Sequence, residues 1–158
     1  NFSAKQFEQK DLVPTIKNIL KENGINAKLL AVEITESIAM RDVSLSISVL
    51  NEFRMMGIKI SIDDFGIGYS SLNSLKLFPI DELKIDRSFI HDVIENPDKA
   101  AIAKAIIVMA HSLGYSVTGE GIETKAQLDF LARNGCDAGQ GFFFSPAIPP
   151  VDTQQKLT

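Results

Sequence analysis

The chain has 158 residues, 45% of them hydrophobic and 23% charged, which suits one globular unit with a real core and rules out disorder over most of its length. The 16 Lys and Arg against 20 Asp and Glu give a net charge of −4, so nothing favours a nucleic-acid polymer, and a phosphate-bearing ligand needs metal ions or local cations. The single cysteine, Cys136, excludes a disulfide framework or a cysteine-rich zinc site and fits a reducing compartment, and the sequence holds neither an apolar run of membrane-span length nor a signal-peptide pattern.

Asn1-Phe2 reads as the tail of a strand, followed by a polar stretch from Ser3 to Lys10. Then comes a helix capped by Asp11, with Pro14 in its first turn and Gly24 as its stop. Lys28 to Ile34 is a buried strand, Thr35-Glu36-Ser37 a turn, and Val43 to Met56 a helix closed by Gly57. The strand from Ile58 to Asp63 precedes a glycine-rich turn, a short helical piece from Ser70 to Leu77, and a strand from Glu82 to Asp86. Helices follow over Ser88 to Ile94 and Lys99 to Leu113, then a strand from Tyr115 to Thr118, a helix from Thr124 to Asn134, and a last strand from Ala138 to Phe143. Strand then helix, repeated without hairpins, predicts a parallel sheet, either doubly wound or a (β/α) barrel.

The stretch Ile58 to Tyr69 organises the rest, because an alternating β-branched run ends in Asp63 and Asp64 and then in Gly66 and Gly68. Adjacent strand residues point to opposite faces, so the two acids diverge unless the backbone turns between them. Taken alone the pair fits a solvated turn equally well. The other strand ends decide: they carry Asn1, Glu33, Lys84 with Asp86, Glu120 with Glu123, and Gln140. In parallel α/β architectures these ends share one side, and in a barrel they ring one pocket. An all-oxygen set of Asn1, Glu33, Asp63 and Asp64 fits Mg²⁺ or Mn²⁺ better than zinc. His91 and His111 fall inside predicted helices and read as structural, and the sequence has neither a phosphate-binding P-loop nor a Ser-His-Asp set.

Five ordered motifs resemble the C-terminal two-thirds of the EAL domain, the bacterial phosphodiesterase of cyclic di-GMP. They are Glu33 to Ser37, Asp63 to Leu72, Lys84 to Phe89, Glu120 to Thr124, and Gly135 to Gly141 with Phe144-Ser145-Pro146. The resemblance implies a TIM-type (β/α) barrel with an antiparallel first strand, incomplete at the N-terminus here, and hydrolysis of cyclic di-GMP to linear pGpG with two divalent cations. It implies Asn1, Glu33 and Asp63 as metal ligands, with Asp64 on the second metal. It places Lys84 near the attacking water and phosphate, Glu120 as general base or supporting partner, and Gln140 along the site. Glu36 anchors the loop after Asp63-Asp64, and Asp86 and Glu123 are further acids near the substrate. It also implies a homodimer through that loop and neighbouring helices, an attached GGDEF or sensor domain, and a cytoplasmic domain whose parent protein could be membrane-anchored.

The Glu-Ala-Leu segment and the first strands belong upstream of Asn1, so residues 1–158 are expected to form one portion of a single EAL-like domain. A full TIM barrel takes roughly 250 residues. The expectation is that the chain derives from a longer domain, is completed by another chain, or is a weak catalyst alone. Ile67 stands where the family commonly has threonine. Two other readings compete with the enzyme: an inactive EAL domain that binds cyclic di-GMP or a partner, and a purely structural fragment.

Overall fold

The apolar runs become five parallel strands, β1 (Ala31–Thr35), β2 (Lys59–Phe65), β3 (Glu82–Ile85), β4 (Ser116–Gly119) and β5 (Ala138–Gly139), in a computed structural model that describes residues 1–68 and 72–149. They lie side by side in chain order, and every neighbouring pair is parallel. A doubly wound sheet reverses its strand order at a switch point, whereas a (β/α) barrel adds strands in sequence. The order β1-β2-β3-β4-β5 is therefore that of a TIM-type barrel segment.

The helices are α1 (Ala4–Phe7), α2 (Leu12–Glu22), α3 (Glu36–Arg41), α4 (Val43–Met56), α5 (Leu72–Leu75), α6 (Arg87–Ile90), α7 (Pro97–Ser112) and α8 (Lys125–Arg133). Val32 and Ile34 of β1, Ile60 and Ile62 of β2, Leu83 and Ile85 of β3, and Val117 of β4 are buried on the helix-facing side of the sheet. They meet Leu50 and Phe53 of α4, Ile107 and Ala110 of α7 and Leu131 of α8, which are also buried. Each such Val, Leu, Ile or Phe side chain contributes about 1.5–3 kcal/mol. The opposite face is set by register: Glu33 pairs with Ser61, Ser61 with Glu82, Lys84 with Thr118, and Thr118 with Ala138. One period of two residues thus places an apolar core on one face and polar groups on the other.

Several element bounds differ from expectation for local reasons. Asn1-Phe2 is not a strand, although the Phe2 amide donates to the Glu33 carbonyl at 3.1 Å and holds the start of the chain beside β1. The first strand starts at Ala31, because Ala27–Leu29 form a 3-10 turn whose Lys28 amide donates to the Asn26 side chain. The expected turn at Thr35-Glu36-Ser37 opens a helix, α3, with Thr35 as its side-chain cap. The helix read as reaching Ile94 ends at Ile90, and the last strand ends at Gly139 rather than Phe143. There the Ile122 amide donates to the Gln140 carbonyl and the Phe143 amide to the Ile122 carbonyl, so a loop takes the ladder's place. Residues 69–71, which begin the piece read as helical from Ser70, lie outside the described residues.

Candidate active site

At the carboxyl end of β2 the chain resolves the problem of two adjacent acids with a bulge. Ile62 pairs with Leu83 and Phe65 with Ile85, so β2 spends one residue more than β3 between the same two rungs. Asp64 takes the strain at φ 53°, and among the described residues it alone is a non-glycine at positive φ. A left-handed residue inside a bulge re-aims its side chain. Asp63 and Asp64 thereby turn to the same side instead of diverging, and one carboxylate oxygen from each of Asp63, Asp64 and Glu120 lies within 4.8 Å of the others.

Lys84 sits at the centre. Its Nζ is 2.6 Å from Glu120, 3.1 Å from Glu33 and 3.5 Å from Asp63, and the side chain is only 5% exposed. Burial alone pulls its pKa down, but the hydrogen bonds to Glu120 and Glu33 and the Asp63 charge overcome this and hold the ammonium above the ordinary lysine range. Burial pushes the Glu120 carboxyl up, against the Lys84 hydrogen bond, and the Asp63 charge adds to the rise. Burial also raises Asp64, assisted by the charges of Asp63 and Asp86. Glu33, Asp63, Asp64, Asp86 and Glu120 thus share one ammonium, an excess of negative charge that suits divalent cations with oxygen ligands.

The loop after β2 is tied from below. Glu36 is buried, and its Oε2 accepts from the amides of Gly66 at 2.8 Å and Gly68 at 3.3 Å. A Cβ on Gly68 would lie 2.7 Å from Glu36 Oε1, so only glycine lets the loop close onto the carboxylate. Asp86 is buried and caps α6, its Oδ1 accepting from the Ser88 amide at 2.8 Å.

Beside the cluster opens a cleft of about 800 Å³, lined by Asp64, Asp86, Glu120, Glu123 and Gln140 among others. Of the sequence-predicted residues, Glu33, Asp63, Lys84 and Glu120 are joined directly, and Asp64 completes the carboxylate group. Glu123 and Gln140 are exposed on the cleft wall, and Asn1 is exposed next to Phe2, whose amide donates to Glu33 of β1. Sequence reasoning missed Arg87, His91, Asp92, Lys99 and Phe142, which line the same cleft. His91 does not sit in a core: its side chain is 66% exposed, with Nδ1 2.5 Å from Asp92, whose other oxygen is 2.6 Å from Lys99 Nζ. The available signal was two basic residues, Arg87 and Lys99, in the segment that follows a strand end.

A model of the EAL domain family matches residues 1–147. The chain is 50% identical over 157 residues to signaling protein YkoW of Bacillus subtilis, covering 99% of this chain and 20% of YkoW. It is 45% identical over 149 residues to MucR of Pseudomonas aeruginosa, named a bifunctional diguanylate cyclase/cyclic di-GMP phosphodiesterase, covering 94% of this chain and 22% of MucR. The fold matches the solved PaMucR phosphodiesterase in complex with c-di-GMP at a TM-score of 0.94 and 44% identity, covering 97% of this chain and 62% of that one. It also matches the manganese and cy-diGMP complex of Klebsiella pneumoniae BlrP1 at a TM-score of 0.80 and 31% identity, covering 89% of this chain and 36% of that one. The chain therefore spans about a fifth of the curated relatives' length.

Proposed function

The chain belongs to the EAL domain family, and from that membership we propose that it carries most of the catalytic apparatus of a cyclic di-GMP phosphodiesterase, which hydrolyses one phosphodiester of cyclic di-GMP to linear pGpG in bacterial signalling. The observation that carries this reading is the convergence of Asp63, Asp64 and Glu120 oxygens beside the Lys84 ammonium at the carboxyl ends of parallel strands. A set of solvated turns has no reason to converge, and a core has no reason to bury that many like charges.

Glu33, Asp63 and Asp64, with Asn1 as a neutral oxygen donor, would hold two divalent ions, Mg²⁺ or Mn²⁺. Bound there, such ions lower the pKa of water and stabilise charge on the attacking and leaving oxygens of an in-line displacement. The chain's own groups do the rest. Lys84 stays charged and orients Glu120 through their 2.6 Å contact. It also sets a positive charge where negative charge grows on the phosphate. Glu120, whose carboxyl burial raises, accepts the proton of the attacking water as that oxygen bonds to phosphorus, and the ester oxygen departing on the opposite side takes its proton from solvent. Glu36 fixes the loop that orients Asp63 and Asp64, while Asp86, Glu123 and Gln140 border the bound dinucleotide. A homodimer contact through the loop after Asp64, of which residues 69–71 lie outside the described residues, and a GGDEF or sensor domain in the full-length protein complete the proposal. No helix among the described residues is long and apolar enough to cross a membrane, and we place the domain in the cytoplasm, where the second messenger is.

The test is hydrolysis of cyclic di-GMP by the full-length protein in Mg²⁺ or Mn²⁺, read as pGpG, beside its Asp63→Asn variant. Product from the parent and none from the variant is the expected result. An intact protein that binds cyclic di-GMP and never cleaves it would replace the enzyme with a receptor.

A further inference from the structure

Three consecutive phenylalanines follow the last strand, and the fold treats them differently. Phe143 and Phe144 pack edge to face with ring centroids 5.5 Å apart and planes at 83°. Among the described residues Phe142 has no such neighbour; it is 73% exposed and lines the cleft that also holds Asp64 and Glu120. Its exposure is not a loose end of chain. The Gln140 amide donates to the Gly119 carbonyl at 2.9 Å, the Ile122 amide to the Gln140 carbonyl at 3.0 Å, and the Phe143 amide to the Ile122 carbonyl at 2.9 Å. Gly141 lies so close to the Ile122 backbone that a Cβ would fall 2.2 Å from the Ile122 carbonyl oxygen, at φ 158°. The backbone on both sides of Phe142 is therefore pinned, and the ring is held in the cleft without a core to enter. Ile67, from the loop behind Asp64, reaches the same cleft and is 62% exposed.

Large apolar groups held in water by a fixed backbone mark a surface awaiting an apolar face. Carboxylates and an ammonium can serve the phosphates of a cyclic dinucleotide, but they offer nothing to the flat faces of its bases. An aromatic ring beside them does, because stacking uses the π-face that every base presents. We propose that Phe142 is the stacking platform for one purine of the substrate and that Ile67 covers the edge of that base. The inference rests on the cyclic dinucleotide reading of the site and adds its base contact. Phe142 acts as a positioning residue: it holds the ligand while the groups around Lys84 perform the chemistry.

The experiment compares the full-length protein with its Phe142→Ala, Phe142→Tyr and Ile67→Ala variants in three measurements: KM and kcat for cyclic di-GMP, calorimetric Kd for cyclic di-GMP in Ca²⁺, and hydrolysis of bis(p-nitrophenyl) phosphate, a diester without a purine. Phe142→Ala is expected to raise KM and Kd about tenfold or more with little change in kcat, Phe142→Tyr to restore both, and the purine-free diester to be cleaved at the parent rate. Ile67→Ala is expected to show a smaller rise of the same kind. An unchanged KM and Kd, or an equal loss on both substrates, overturns the proposal. A parent that binds cyclic di-GMP without cleaving it removes the proposed activity while the Kd comparison still decides the stacking contact. A parent that neither binds nor cleaves it overturns both.

Discussion

The two faces of the sheet obey the same two-residue period and do opposite things. On the helix-facing side Ile34, Ile62, Leu83, Ile85 and Val117 are sealed from water, and any of them could be exchanged for a similar apolar residue with modest loss. On the other side Glu33, Asp63 and Glu120 are each held within hydrogen-bond or ion-pair distance of Lys84, and there the chemical identity of each residue counts. The difference shows how this fold separates stability from chemistry: stepping one residue along a strand crosses from core to site.

The largest effect expected from breaking that division is at Asp63. Asp63→Asn should cost at least about a hundredfold in phosphodiesterase activity, while the melting temperature of the metal-free protein holds or rises, because a repelled charge has gone. A loss of stability equal to the loss of activity would erase the distinction between the faces. The mirror experiment is Ile62→Ala on the core face, which should cost about 2–5 kcal/mol in denaturant unfolding and leave the specific activity of the folded fraction intact. A clean drop in kcat would mean that the core face takes part in the site.

Lys84 belongs to both sides of the comparison, since it is buried and also charged. Lys84→Met removes the partner of several carboxylates and should cost about 3–5 kcal/mol near neutral pH as well as activity. In the parent, the raised Lys84 pKa gives a contribution that is fully present below the unfolded lysine value, about 10.4, and is lost as pH rises through the folded value.

Much of this was legible in the residues. The acids at the strand ends, the parallel sheet and the family all followed from Glu33, Asp63-Asp64, Lys84, Glu120 and the glycines around them. What could not be read was three-dimensional compensation. Nothing in the string Asp63-Asp64-Phe65-Gly66 says that Asp64 adopts positive φ in a bulge, which is what brings both carboxylates to one side. Thr35-Glu36-Ser37 has the composition of a turn, and it became a helix start because Thr35 caps it and Glu36 turns under the loop to accept two amides. Phe142 resembles its two neighbours in sequence, and only the fold separates it from them, leaving its ring on the cleft while Phe143 and Phe144 pack against each other. His91 reads as structural in the sequence because its helix extends there to Ile94, four residues beyond its end at Ile90.

Acidification offers a subtler probe. The folded carboxyls of Asp64 and Glu120 titrate above their ordinary values of 3.8 and 4.5, so their contribution to stability is present below those values and is lost as pH rises through the folded ones. In the metal-free protein, thermal unfolding followed from neutral pH down toward pH 4.5 should therefore show a stabilising component that Glu120→Gln lacks. Identical pH profiles for parent and variant would deny the raised carboxyl. The smallest effect is expected far from the site, where Asp137 accepts from His111 and from the Val117 amide, both at 2.8 Å, on an exposed surface. The histidine hydrogen bond holds the Asp137 carboxyl below its usual range, so its contribution is present above the ordinary aspartate value and lost as pH falls through the folded one. Asp137→Asn should cost no more than about 1 kcal/mol in denaturant unfolding and leave catalysis unchanged.

The central claim is that the polar face of the sheet is a site for divalent cations, and calorimetric titration of Mn²⁺ into the full-length protein tests it most directly. The account predicts saturable binding that Asp63→Asn and Asp64→Asn each weaken by at least about tenfold, with Asp137→Asn indistinguishable from the parent. Binding that survives both active-site substitutions unchanged, or no binding by a folded parent, would contradict it.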